Sequence, residues 1–236
     1  MPSPAGPPRS PRSPRSPRSP QAPPAPHSPP PPRPARKRRD RYHHGDLRRA
    51  LLQEAVRTIQ TRGVEALTLR AAGEKLGVSR TALYRHFADK SALLSAVAQE
   101  GFRLLRLELV EAWEQGGGGR NGFEQMGIAY VRFAVEHPAH YRVMFGGFLR
   151  GYASDAALAA EGSAAFQVLV DALIAQQHAG LVRKDDPQQL AQFVWAVVHG
   201  VARLTIDGQL RGSPADAGAL AQYAVDRIRT GIAVMP

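Results

Sequence analysis

Leu47, Leu51, Ala55, Val56 and Ile59 recur at three- and four-residue steps, which predicts an amphipathic helix over about 46–62 that Gly63 stops. Asp46 is placed to cap its first turn. Thr68 opens a short second helix that runs to about Lys75 and ends at Gly77. Ser79 opens a third, Arg80 to about His86, and Asp89 a long fourth over 90–114 that carries Leu93, Leu94, Val97, Phe102, Leu105, Leu109 and Trp113. The run Gly116–Gly119 is expected to be a flexible linker. Beyond it no segment alternates with period two for long, and helices are predicted at roughly 122–136, 138–146, 154–179, 187–208 and 215–230. Asp186-Pro187 and Ser213-Pro214 each put a cap residue before a proline at the first helical position. The pattern predicts an all-α protein of about nine helices.

Composition divides the 236 residues unevenly. Residues 1–39 hold sixteen of the twenty prolines, four RSP triplets from Arg9 to Pro20, nine Lys or Arg and no acid. With almost nothing large and apolar, this segment cannot repay the entropy of ordering and is expected to be a disordered basic tail. Its +9 charge, including Arg36-Lys37-Arg38-Arg39, suits a polyanion. Residues 40–86 carry nine basic and five acidic residues, and 87–236 thirteen and fifteen, so the rest is basic in front and mildly acidic behind. The division expected is a tail over 1–39, a basic helical front over 40–88 and a mildly acidic helical rear over 89–236.

No cysteine is present, so disulfides and thiolate metal sites are unavailable. There is no run of about 18 apolar residues and no apolar signal segment, so a soluble cytoplasmic protein without a membrane span is expected. G-x-S-x-G, G-x-x-x-x-G-K-[ST] and H-E-x-x-H motifs are missing, so no enzymatic activity, cofactor or metal is expected.

The two short helices and their tight turn through Gly77 have the plan of a helix-turn-helix unit, whose second helix lies in the DNA major groove. Leu69, Ala72, Leu76, Val78, Ala82, Leu83 and Phe87 supply the small core, which leaves Arg80, Thr81, Tyr84, Arg85 and His86 turned outward. Ser79, at the helix start, leaves backbone N–H groups that suit a phosphate. Spacing alone does not separate this pair from any other helical hairpin.

The succession G…LTLRAAGEKLGVS…LYRHFADKSALL, within Tyr42 to Leu94, resembles the N-terminal domain of the TetR family of bacterial transcriptional regulators. Trp195, His199 and Gly200 in FVWAVVHGVARL resemble the WHG-type C-terminal domain of a subset of that family. The resemblance implies a three-helix DNA-binding head, a linking fourth helix, and a helical rear domain that binds a ligand and dimerises. It places Arg80 and Thr81 on base edges, Arg80 best on a guanine. It puts Thr68, Tyr84, His86 and Lys90 on phosphates. Arg70 and Arg85 are open between DNA, solvent and ion pairs, and His43 and His44 between the DNA backbone and solvent. The homodimer it implies joins helices 187–208 and 215–230, and reads a pseudo-palindromic operator.

An effector pocket is expected between 122–146 and 154–179, walled by Phe133, Tyr141, Met144, Phe145, Phe148, Phe166, Leu169 and Leu173, with Trp195 and His199 below. Such a lining favours an apolar or aromatic small molecule, although His199 is better suited to hydrogen-bond its surroundings or the dimer partner than to bind an effector. The function expected is a ligand-responsive repressor. The alternative is a non-specific nucleic-acid binder driven by the tail.

Overall fold

A computed structural model describes residues 44–149, 155–210 and 214–233, and these form nine α-helices. They are α1 His44–Arg62, α2 Leu69–Lys75, α3 Arg80–Tyr84, α4 Lys90–Gln115, α5 Gly119–Glu136, α6 Pro138–Phe145, α7 Ala156–His178, α8 Pro187–Ile206 and α9 Pro214–Ile232. One isolated bridge, Val182 to Ala233, is the extended pairing among the described residues. The tail 1–39, His43 and the Asp46 side chain lie outside them.

Helix starts follow side-chain chemistry. Thr68, Ser79, Asp89 and Asp155 each accept a bond from the backbone N–H three residues on, at 2.8–3.2 Å. Asp186 caps α8 through Gln188, with Pro187 at the first helical position. Helix ends follow backbone freedom. Gly77, at φ +66°, donates to Glu74 O while Val78 donates to Gly73 O, a paired cap that needs a left-handed residue. The same pattern closes α4, α7 and α8.

Two expectations change. The third helix stops at Tyr84: Arg85 N–H still reaches Thr81 O, four residues back, but the chain then tightens and His86 N–H reaches Leu83 O, three back. The run Gly116–Gly119 is a tight turn and not a flexible linker. Gly118 donates to Trp113 O, Asn121 Nδ2 donates to Gly116 O, and α5 starts at once at Gly119. Left-handed φ at Gly117, Gly118 and Gly119 turns the chain back so closely that a Cβ on Gly122 would sit 2.9 Å from Trp113 O.

Helix α4 is the axis. Its apolar stripe is buried from Leu93 and Leu94 through Val97, Phe102 and Leu105 to Leu109, while Trp113 is partly buried. It packs against α1 at one end and against α5, α6 and α7 along its length. Helix α1 also touches α6, so the first helices are held to the rear bundle at two places. Within the first three helices, the buried Glu54 carboxylate accepts from Arg57 and Thr58 and pairs with Lys75 on α2 at 3.1 Å. Helix α7 has the length and hydropathy to cross a membrane, but it packs on α4, α5 and α8 as part of the bundle.

The turn after α4 is testable. In Gly122→Val the added side chain meets the Trp113 carbonyl, which is backbone and cannot swing away. The expected loss of stability is about 1–3 kcal/mol, read from the urea midpoint.

Candidate functional site

Helices α2 and α3 cross with a close contact: a Cβ on Gly73 would lie 3.1 Å from Leu83 Cδ2. Leu83 and Phe87 are buried beneath, so the opposite side of α3 faces out. Arg80, Thr81, Tyr84 and Arg85 are exposed on it, Ser79 and Thr68 are exposed caps, and His86 is half-buried. The arginines differ in state. Arg70 is neutralised by Glu74 at 2.7 Å, whereas Arg80 and Arg85 make no ion pair among the described residues. An unneutralised pair of guanidiniums beside two hydroxyl-bearing side chains is fit to meet phosphates and base edges.

Lys90 is occupied. Its Nζ donates to Val64 O at 2.8 Å and to Glu65 O at 3.4 Å, clasping the α1–α2 turn to the start of α4. Its charge therefore orients the first helices on α4 in this structure.

Behind them, six helices enclose a cavity of about 440 Å³. Phe102, Leu105 and Leu109 of α4 form one wall, and Phe123, Met126 and Tyr130 of α5 another. Met144 and Phe145 of α6, Phe166 and Leu169 of α7, Trp195 and Val198 of α8, and Val225 and Ile228 of α9 complete it. No charged side chain lines it, and its polar members are Tyr130, Ser163, Gln192 and Trp195. Ser163 and Gln192 are exposed and so stand at the mouth. This volume and lining suit a small, mostly apolar molecule.

Of the ten residues expected to wall a pocket, Met144, Phe145, Phe166, Leu169 and Trp195 do line the cavity. The other five are placed elsewhere. Phe133 and Leu173 are fully buried in the packed core, Phe133 with its ring 5.0 Å from His137. Phe148, past the end of α6, sits by Val64, Lys90 and Leu94 near the first helices. Tyr141 and His199 form a second layer behind Phe145. His199 stacks on Tyr141 with centroids 5.5 Å apart and meets Phe145 edge-on at 4.8 Å.

That second layer is a hydrogen-bond network. Trp195 Nε1 donates to Tyr130 Oη at 2.9 Å. His199 Nδ1 lies 2.8 Å from Tyr141 Oη and 3.0 Å from Tyr130 Oη. Burial pushes the Tyr130 hydroxyl up to about 12, and pushes that of Tyr141 up as well, so both keep their protons. Burial, aided by the Arg203 charge, holds the His199 imidazole below its usual value. A neutral His199 with Nδ1 unprotonated can accept from a tyrosine hydroxyl, and the network closes without charge. Tyr130 is its centre, and no motif or spacing in the sequence singled it out. The α4 and α9 walls were likewise hidden, because their residues read as ordinary core.

On the outside of α8 and α9, Phe193, Leu204 and Tyr223 are exposed at 51%, 43% and 61%. Ala196 and Gly200 lie between the first two, giving a stripe at helical spacing.

Residues 51–97 match the family described as bacterial regulatory proteins, tetR family. Residues 123–228, which include Trp195, His199 and Gly200, match the tetracyclin repressor-like C-terminal domain. The tetracycline repressor protein class C of Escherichia coli is 44% identical over 52 residues, 22% of this chain and 24% of that relative's length. A solved protein of unknown function from Rhodococcus sp. RHA1 is 34% identical, covering 83% of this chain and 100% of its own, with a TM-score of 0.74. The ketosteroid transcriptional regulator KstR2 of Mycobacterium tuberculosis shares the fold, at 19% identity over 80% of this chain and 96% of its own, with a TM-score of 0.59.

The buried imidazole makes stability depend on pH. The unfolded chain takes up its His199 proton near the ordinary value of 6.5, before the folded one does. This contribution is therefore absent above that pH and destabilises progressively as pH falls from about 6.5 to the lower folded value. Thermal melts from pH 7.5 to 5 should show this loss, and His199→Asn should flatten it. An unchanged slope in the variant would remove the assignment.

Proposed function

Because the chain belongs to the TetR family of bacterial regulatory proteins, we propose that it works as a ligand-responsive repressor, a homodimer bound to a pseudo-palindromic operator. It is a DNA-binding transcriptional regulator with a helix-turn-helix. The observation that carries the finer reading is the run of α4. At its start it packs on α1 and bonds the α1–α2 turn through Lys90, holding the three-helix unit that exposes Arg80, Thr81 and Arg85, and further along Phe102, Leu105 and Leu109 wall the cavity.

In this reading Arg80 and Thr81 touch base edges, while Thr68, Ser79, Tyr84, Arg85 and His86 position the helix on phosphates. Lys90 serves as the clasp at the root of α4 and reaches phosphate only if that clasp opens. Two copies meet through the α8 and α9 stripe and set their recognition helices about 34 Å apart, one turn of duplex. The tail 1–39 adds non-specific attraction, with 40–88 as the DNA-binding domain and 89–236 as the effector and dimerisation domain. The site of action is the cytoplasm.

An apolar effector acts through its different affinity for two arrangements of the dimer. Filling the cavity pushes on the α4 wall and tilts the helix, so the recognition helices leave their matched spacing. A coupling of about 1–3 kcal/mol, typical of such linkage, lowers operator affinity about five- to 150-fold. We read the cavity as a binding site and not a catalytic one, because its lining carries no charged side chain.

Selection from a random DNA pool tests the reading, since it returns both a preferred half-site and its spacing. Against the selected site, Arg80→Ala should cost about 1–3 kcal/mol and relax preference at one base pair. Deleting residues 1–39 should weaken all sites and leave the preference intact; loss of preference with the tail would favour the non-specific alternative. Pairing Phe193→Asp with Leu204→Arg should reduce the particle in light scattering to one 25.6 kDa chain and abolish tight operator binding. A particle that remains dimeric would exclude this face.

A further inference from the structure

A second, smaller cavity of about 180 Å³ lies at the opposite end of α5 from its His137 terminus. We propose that it is a binding site for a compact oxyanion, a carboxylate or a phosphate. Arg120, Gln176 and Arg229 line it together with Phe123, Leu181 and Thr230, and no acidic side chain does.

Three observations point to an acceptor with negative charge. Gln176 is 2% exposed, and its Nε2 meets no acceptor among the described residues; nor does the buried Nε of Arg229. Both residues line the one small space, which therefore holds two buried donors and lacks acceptors for them. Arg229 spends only Nη2 on Asp226, at 3.3 Å, and Thr230 spends its proton on Asp226 O. Arg120 is exposed and makes no ion pair among the described residues.

The start of α5 adds to this. Its cap is Gly118, which gives no side-chain bond, and its first turn holds no acid. Arg120 instead puts a cation where the helix dipole is already positive, an arrangement adverse to the helix unless an anion is nearby. The 18-residue α5 begins beside the cavity wall: a Cβ on Gly119 would lie 3.9 Å from Leu181 Cδ1. Two guanidiniums and a buried carboxamide thus line a space, next to the start of α5, fit for a single small anion.

Phe123 walls this cavity and the large apolar one alike. The oxyanion can therefore be a free ion or the head of an amphiphile whose chain lies against Phe123. The proposal stands apart from the repressor reading and holds or fails without it.

Thermal melts of the full chain at fixed ionic strength test it, with sodium phosphate, acetate or dodecanoate replacing chloride. The expected result is a saturable rise in Tm, with a midpoint about tenfold weaker in Arg120→Ala and in Gln176→Leu, and largely kept in Arg120→Lys. Arg120 is exposed, so its variants are expected to fold even if Gln176→Leu does not. Similar midpoints for acetate and dodecanoate assign a free ion. A dodecanoate midpoint more than tenfold lower that also weakens in Arg120→Ala assigns an amphiphile head. Anions no more stabilising than chloride, or equal responses in wild type and Arg120→Ala, would overturn the site and leave a cavity that holds only water.

Discussion

The burial of one stripe on α4 is the constraint on which the rest depends. Leu93, Leu94 and Val97 are buried in the first turns of the helix, which also packs on α1, and Phe102, Leu105 and Leu109 sit two to four turns further along. A close-packed interior has few intermediate arrangements, so such a helix shifts as a unit or not at all. The same residues that hold the first three helices in place are therefore in mechanical continuity with the wall of the large cavity. Lys90, bonded to Val64 O and Glu65 O, fastens this axis at its root.

The cavity remains apolar because its polar neighbours satisfy one another. Tyr130, Tyr141, Trp195 and His199 come from three helices, and each bond leaves the others uncharged. A charged imidazole there would lose an acceptor and gain a desolvation cost. The smaller cavity is built in the opposite sense, with donors in excess and no acid in its lining. One protein thus presents two spaces that select for opposite chemistry, divided by the ring of Phe123.

Helix starts were legible because their signals are local. Thr68, Ser79, Asp89 and Pro187 act within three residues of themselves, and the sequence placed each within a residue or two of the observed start. The outward face of α3 followed from the same local pattern. The glycine run misled because composition suggests freedom, whereas closure depends on Trp113 O and Gly122 meeting across the turn. Periodicity showed that Phe133, Leu173 and Tyr141 point inward, but not whether inward means packed atoms or empty space. The Lys90 clasp spans 26 residues and the Tyr130–His199 bond 69, and no spacing rule reaches that far.

Helix α7 is tied at both ends. Asp155, its cap, also accepts a bond from Ser95 on α4, while Gln177 near its other end donates to Arg183 O and Asp185 O at 2.8 Å. The mouth lies between, where Phe166 and Trp195 meet edge to face at 6.0 Å. In the proposed reading, a guest entering there would pass two ring side chains, and side-chain turns run from picoseconds to nanoseconds when exposed. For such a guest, entry would approach the rate of encounter, and dwell time would record how firmly the walls grip it.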